Sequence, residues 1–109
     1  MAMSTHTRDN PEQSRYELAV DGRLAGWAQY RLDGERMTIF HAEIDPEFRG
    51  RGLGNQLAEE ALRDVRRRGL VLVPRCPFIA AYVRRHPDDY LALVAPGLRE
   101  RVMAGAGDE

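Results

Sequence analysis

Apolar residues recur every three or four positions between residues 53 and 68, which is the pattern of one face of an α-helix. The apolar face consists of Leu53, Leu57, Ala58, Ala61, Leu62 and Val65. Three arginines at positions 66–68 fall in the last turn, where the helix dipole favours cations, and Gly69 suits the residue that follows a helix. The pattern therefore predicts a long amphipathic helix from Leu53 to Arg68.

Ahead of this helix, apolar and polar residues alternate, as they do in half-buried β-strands. The alternation predicts strands at Arg15–Val20, Arg23–Leu32 and Met37–Ile44, joined by Asp-Gly turns at positions 21–22 and 33–34. The first forty-five residues therefore predict an antiparallel meander of three strands.

After the helix, Leu70–Val73 is apolar throughout, as expected for a strand that is buried on both faces. Pro77 fits the first position of a second helix over Phe78–Arg85, and Tyr90–Val94 fits either a short strand or a helical turn. A three-strand meander followed by a β-loop-α-β-α unit predicts an α+β fold with a mixed sheet.

The patterned region covers most of the chain. Residues 1–13 are polar and without periodicity, which predicts a flexible N-terminal tail, and residues 96–109 predict a flexible or frayed C-terminal tail. Residues 14–95 then form a single domain.

Composition excludes several classes of protein. The formal net charge is −1, which argues against a nucleic-acid binder, and no metal site is expected. No run approaches the roughly eighteen apolar residues of a membrane span, and the first residues lack the apolar core of a signal peptide. A single cysteine permits no internal disulfide, so a cytoplasmic protein is expected, as a monomer or weak dimer. All sixteen basic residues are arginine, so no lysine is available for Schiff-base chemistry.

The glycine-rich segment before the long helix is the candidate binding site. Gly50, Gly52 and Gly54 leave the backbone bare where the first helical amides lack partners, and the helix dipole favours an anion there. Arg49 and Arg51 add donors suited to phosphate, so a diphosphate is the expected ligand. A glycine turn without a ligand is the alternative interpretation.

Two common phosphate loops do not fit the segment. The chain has no lysine for a Walker A loop, and Asn55 stands where a Rossmann fingerprint requires its third glycine. The spacing Arg49-x-x-Gly52-x-Gly54, after a strand and opening a helix, resembles the acyl-CoA pyrophosphate motif of the GCN5-related N-acetyltransferase superfamily.

The resemblance covers roughly residues 14–95. It implies binding of acetyl-CoA or CoA and transfer of an acetyl group to an amine on a small molecule or a protein. The residues implied at the cofactor are Ile44, Arg49, Gly50, Arg51, Gly52, Leu53, Gly54 and Asn55.

His41 and Glu43 are candidates for catalysis. Strict alternation would place both on one face with Met37 and Ile39, about 6–7 Å apart along the strand, while Thr38, Phe40, Ala42 and Ile44 would take the other face. A strand bulge would change this geometry. The family resemblance implies that an acid near this strand end acts as the base that deprotonates the amine. Alternatively, Glu43 is a solvated carboxylate and His41 a surface residue.

Cys76 and Tyr82 are the remaining candidates. Cys76 lies beside Arg75 at a helix N-terminus, and both features stabilise a thiolate that could accept an acyl group. A small buried cysteine without reactivity is the alternative. In the family, a tyrosine on this helix protonates the departing CoA sulfur. Tyr82 lies one residue short of that position, which is Val83. The Cys76-Pro77 pair resembles small single-domain members of the family.

Two rival functions follow from the same residues. A CoA-binding or protein-interaction module without turnover is favoured by the displaced tyrosine and by the lack of the helices that precede this core in larger members. RNA binding through the arginines is disfavoured by the near-neutral net charge.

Overall fold

The computed structural model describes residues 4–105, whose five strands form one sheet in the order of the chain. The strands are β1 (Thr5–Asn10), β2 (Arg15–Val20), β3 (Arg23–Asp33), β4 (Arg36–Ile44) and β5 (Val71–Pro74). Pairs from β1 to β4 are antiparallel, and β4 and β5 are parallel. The helices are α1 (Leu53–Arg67), α2 (Pro77–Arg85), α3 (Pro87–Tyr90) and α4 (Arg99–Met103), with 3₁₀ turns at Pro46–Phe48, Leu91–Leu93 and Pro96–Leu98. The predicted α+β fold with a mixed sheet is confirmed, with one strand more than predicted.

Helix α1 packs on one face of the sheet. All six residues of its predicted apolar face are buried, so the helical pattern is confirmed. They meet an apolar layer from the strands, which includes Tyr16, Leu18, Val20, Met37 and Ile39. Each large aliphatic side chain buried in this way contributes about 1.5–3 kcal/mol relative to its exposed state.

Strand β1 corrects the prediction of a flexible N-terminal tail. Thr5–Asn10 pairs with β2 along its whole length, so the prediction over residues 1–13 is wrong for this segment, while residues 1–3 lie outside the described residues. The strand lacks an apolar alternation because polar side chains anchor it. Asp9 accepts hydrogen bonds from the Tyr30 hydroxyl at 2.6 Å and from Arg68 at 3.1 Å.

The C-terminal segment is also packed. Residues 96–103 form a 3₁₀ turn and α4, with Val102 buried, so the predicted flexible or frayed tail is wrong there, while residues 106–109 lie outside the described residues. The Arg84 guanidinium donates to the Val102 carbonyl at 3.1 Å. The segment Tyr90–Val94 contains a helical turn, and Val94 forms a parallel bridge to Leu72.

A bulge interrupts β4. The register passes from Gln29 opposite His41 to Tyr30 opposite Ile39, so Phe40 is the extra residue. A bulge lets consecutive side chains project to the same side of a strand. Phe40 is 45% exposed, whereas Ile39 is fully buried.

The bulge overturns part of the predicted alternation. Met37 and Ile39 lie in the core, and beyond the bulge Ala42 and Ile44 pack against the same core. His41 and Glu43 are exposed. The prediction that Met37 and Ile39 share a face with His41 is therefore wrong, because the extra residue shifts the alternation by one.

A polar network joins three strands to the end of α1. The Tyr16 hydroxyl donates to the Asp64 carboxylate at 2.6 Å, and Arg68 donates to Asp64 at 3.0 Å. Arg67 also contacts Asp64. Burial alone would raise the pKa of Asp64, but the hydrogen bonds from Tyr16, Arg68 and Arg67 outweigh it and lower the pKa. Asp64 is therefore held as a carboxylate in the folded protein.

Candidate functional site

Strands β4 and β5 separate midway along β4. Their pairing runs from Arg36 opposite Val71 to Ile39 opposite Pro74. The Ile39 carbonyl then accepts the amides of Arg75 and Cys76, at 3.0 and 2.9 Å, as the chain turns away into α2. The rest of β4, residues 40–44, runs on beside an opening.

A cleft of about 160 Å³ lies at this opening. It is lined by Ala42, Glu43, Ile44, Gly54, Leu57 and Phe78. These residues come from β4, the first turns of α1 and the start of α2. The cleft therefore joins the strand that carries Glu43 to the helix that follows the glycine-rich loop.

The backbone at Ile44 faces the opening. The Asp45 amide donates to the Ala25 carbonyl on the β3 side at 2.7 Å. Backbone groups point alternately to the two sides of a strand, so the amide and carbonyl of Ile44 point away from β3. The Ile44 carbonyl accepts a hydrogen bond from Arg49 Nε at 3.4 Å. The Ile44 amide is thus a donor at the edge of the cleft.

The loop after β4 is built around two glycines in the left-handed region. Gly50 has φ of +82° and Gly52 has φ of +73°, a conformation that other residues rarely adopt. Gly52 precedes α1 and provides no side-chain cap, and the first intrahelical bond runs from the Gln56 amide to the Gly52 carbonyl. Helix geometry therefore leaves the amides of residues 53–55 for a ligand.

Arginines surround this loop. Arg23 and Arg51 lie over the Phe48 ring, at 5.3 and 5.5 Å from its centroid. Arg85 donates to the Asn55 side chain at 3.0 Å. Arg23 is paired with Glu47 at 2.6 Å, so the positive environment of the helix N-terminus comes from Arg49, Arg51 and Arg85. This charge complements the dipole of α1. Arg23 and Arg85 are far from the loop in sequence, so the motif alone did not identify them.

His41 and Glu43 are in contact. His41 Nε2 and Glu43 Oε2 are 3.2 Å apart, and the two side chains are about half exposed. The prediction that they share a face is therefore confirmed. Glu43 lines the cleft, and His41 reaches it through Glu43.

Cys76 and Tyr82 are not among the residues that line the cleft. Cys76 is buried and precedes α2. Tyr82 packs its ring on His86 at 4.5 Å and on Tyr90 at 5.9 Å. Burial raises the pKa of the Tyr82 hydroxyl above its usual range, and the negative charge of Glu59 adds to the rise.

Phe78 is a cleft residue that the sequence did not single out. It is 38% exposed, and a Cβ built on Gly54 would lie 3.0 Å from the Phe78 ring. Gly54 therefore keeps the start of α1 close to this ring. The sequence feature that could have identified Phe78 is an aromatic residue of α2 that does not belong to the apolar face of the helix. That face consists of Ile79, Ala80, Tyr82 and Val83.

Two further kinds of feature are absent from the part of the chain that the structure describes. Within residues 4–105, no helix combines the length and apolar character needed to cross a membrane. The same residues contain no group of three or more His, Cys, Asp or Glu side chains arranged to hold a metal ion.

The fold and the cleft together define the class of protein. A model of the GCN5-related N-acetyl-transferase family matches residues 15–93, and the chain belongs to this family. The resemblance carried by the Arg49–Gly54 motif is thereby confirmed.

Individual relatives are similar to this chain over part of its length. It is 34% identical to the [ribosomal protein bS18]-alanine N-acetyltransferase of Salmonella typhimurium, over 50% of this chain and 37% of that protein. It is 30% identical to acetyltransferase ECA0875 of Pectobacterium atrosepticum, over 68% of this chain and 48% of the relative. The crystal structure of the ribosomal-protein-S18-alanine N-acetyltransferase from Escherichia coli superposes with a TM-score of 0.50 and 27% identity, covering 53% of this chain and 38% of that chain. The chain thus spans less than half the length of these relatives.

Proposed function

We propose that the chain is an acetyl-CoA-dependent N-acetyltransferase that acetylates an amine. The observation that carries the proposal is the opening between β4 and β5, which meets the glycine-rich N-terminus of α1 and has Glu43 on its border. Family membership over residues 15–93 supports the same reaction class.

The residues at the opening fit acetyl-CoA. The amides of residues 53–55, with Arg49 and Arg51 beside them, would hold the pyrophosphate. The exposed edge of β4 would receive the extended pantetheine arm, and the Ile44 amide would donate to the acyl carbonyl. The left-handed Gly50 and Gly52 suit this role because they bring bare backbone to the ligand.

Acetyl-CoA supplies an acetyl thioester, so the amine gains the acetyl group and loses a proton while CoA departs as a thiol. In this chain Glu43 is the residue suited to accept the proton from the amine, because its carboxylate lines the cleft and is open to solvent. His41, in contact with Glu43 Oε2, would orient that carboxylate. Cys76 as an acyl relay and Tyr82 as the acid for the leaving thiol are weaker assignments, since neither lines the cleft.

The acceptor is proposed to be a protein amine rather than a small-molecule amine. Two of the relatives are named for acetylation of an alanine of a ribosomal protein. The cleft of about 160 Å³ is also small for a separate acceptor pocket beside the acyl group.

A CoA-binding module without turnover is the second candidate. Two observations support it. The position at which the family has its tyrosine is Val83, which is fully buried. Tyr82, one residue earlier, packs against His86 and Tyr90. Acetyl transfer to a panel of amines, followed by mass spectrometry, separates the two candidates, because the module would bind without acetylating any amine.

Titration of isotope-labelled protein with acetyl-CoA, followed by backbone amide NMR shifts, tests the proposal. We expect large saturable shifts at residues 49–55 and 42–45. The amides of residues 33–36, in the turn at the other end of β4 from the cleft, are the internal reference and should shift little. Unchanged spectra at millimolar acetyl-CoA would contradict both candidate functions, the acetyltransferase and the CoA-binding module.

Replacing Gly54 by valine should weaken acetyl-CoA binding at least about tenfold, because a branched side chain would press on Phe78 and fill the cleft. Isothermal titration calorimetry measures the affinity. Gly97→Val is the matched control, since nothing lies within 4 Å of a Cβ at Gly97 and it stands outside the cleft. Equal affinities in the two variants would remove Gly54 from the binding site.

A further inference from the structure

The sheet has one face that the core does not cover. Tyr16 points towards α1, where it donates to Asp64, so its neighbour Glu17 points to the opposite side. Trp27 lies directly across from Glu17 on β2 and from Glu43 on β4. We call the surface that carries Arg15, Glu17, Trp27, His41 and Glu43 the open face. Trp27 is partly exposed there, and the Arg15 guanidinium lies over its ring, 5.4 Å from the centroid. Of the two neighbouring carboxylates, Glu17 has a side chain that is 11% exposed and Glu43 one that is 45% exposed.

The open face reaches the cleft at its β4 border. Glu43 belongs to both surfaces, and the bulge turns Phe40 outward beside His41. A protonated amine is attracted both by a carboxylate and by the faces of aromatic rings. This corner of the open face therefore suits a free amine that waits next to the acyl group.

The charge changes sign towards β2 and β1. Glu17 accepts from Arg8, Asn10 and Arg15, at 3.1, 3.1 and 2.7 Å. Burial alone would raise the pKa of Glu17, but the hydrogen bonds from Arg15 and Asn10 outweigh it and lower the pKa. Two guanidinium groups thus surround one carboxylate, and the cluster keeps a positive charge.

The spacing of the two regions matches an extended peptide. Neighbouring strands lie about 4.8 Å apart, so Arg15 on β2 and Arg8 on β1 lie about 10 and 14 Å from Glu43 across the strands. An extended chain advances about 3.3 Å per residue, so its fourth and fifth residues would reach the arginines.

We propose that the open face binds the acceptor as an extended peptide, with its N-terminal amine against Glu43, beside Phe40 and Trp27, and with an acidic side chain either at its fourth position facing Arg15 or at its fifth position facing Arg8. This inference rests on the proposed acetyltransferase function and adds the acceptor to it. An internal lysine fits less well, because its long side chain would hold the backbone away from the two arginines.

Trp27 is the single tryptophan of the chain, so its fluorescence reports on the open face. The test titrates the full chain with five-residue peptides that begin with alanine and carry glutamate or lysine at positions four and five. We expect a saturable change in Trp27 emission, with the glutamate peptide binding about fivefold more tightly than the lysine peptide. The N-acetylated glutamate peptide should bind more weakly than the free one.

Arg8→Gln should reduce the preference for the glutamate peptide towards unity, because the Arg8 side chain is 59% exposed and supplies charge at the far end of the path. Arg101→Gln, an exposed arginine on α4, is the matched control and should keep the preference.

The outcomes separate this inference from the proposed function. If acetyl-CoA leaves the loop amides unshifted while the peptides change Trp27 emission as described, the open face is a peptide-binding surface and only the enzymatic proposal fails. If peptides are acetylated but Trp27 emission stays constant, the acceptor binds elsewhere and the inference is overturned. Equal binding of the glutamate and lysine peptides, or of the free and N-acetylated glutamate peptides, also overturns it.

Discussion

Replacing Glu43 by glutamine is expected to lower kcat/KM for acetyl transfer by about 10²–10⁴-fold, the usual contribution of a general base. The side chain is about half exposed, and its polar contact is with His41, so the fold should be unaffected. Acetyl-CoA affinity should also be unchanged, because the groups proposed to hold the cofactor are backbone amides and arginines. Initial rates with an amine acceptor, together with calorimetric titration of acetyl-CoA, measure the two quantities.

The control for this prediction is Glu59→Gln. Glu59 is a surface carboxylate of α1 that pairs with Arg63 at 3.3 Å, and it does not line the cleft. It should retain the wild-type rate. A Glu43→Gln variant as active as Glu59→Gln would show that another group, or solvent, accepts the proton.

Asp64→Asn is expected to lower the free energy of unfolding by about 2 kcal/mol, since hydrogen bonds to a charged group contribute about 1.5–3 kcal/mol. The carboxylate side chain is 16% exposed and serves Tyr16, Arg67 and Arg68 together. For a domain of this size the melting temperature should fall by about 8–16 °C. Thermal unfolding followed by circular dichroism measures the change.

The same substitution should also alter the acid dependence of stability. The pKa of Asp64 is lowered by folding, so its contribution is present above the unfolded pKa of about 4 and is lost as the pH falls through the folded pKa. The difference between wild type and Asp64→Asn should therefore be full at neutral pH and shrink at acid pH. Asp88→Asn, an exposed aspartate of α3, is the reference variant. A constant difference across the acid range would mean that Asp64 is not held as a carboxylate.

Periodic apolar patterns carried most of the fold prediction. The six apolar positions of α1 and the strands β2 to β5 could be recognised because their burial leaves a regular trace in the sequence. Strand β1 left no such trace, since Asp9 and its neighbours are held by hydrogen bonds to Tyr30 and Arg68 rather than by apolar contacts. Partners about twenty and sixty residues away cannot be inferred from a local pattern.

The candidate site was predictable to a similar extent. The glycine loop is contiguous in sequence, so its position before α1 followed from the chain itself. Phe78, Arg23 and Arg85 reach the same region only through the packing of α2 and β3. Whether Met37 and Ile39 share a face of β4 with His41 depends on a single bulge residue, Phe40. Strand propensities of the amino acids do not identify such a residue.

The bulge at Phe40 divides β4 into two parts with different roles. Before Phe40 the strand supplies Met37 and Ile39 to the core, and after it the outward positions belong to His41 and Glu43. Loss of Phe40 would remove the bulge and leave a regular alternation, with His41 and Glu43 still outward. Gain of one residue between His41 and Ala42 would instead bring Glu43 towards the core and Ile44 into solvent. During evolution or engineering, β4 should therefore tolerate loss of its bulge residue far better than gain of a residue beyond it.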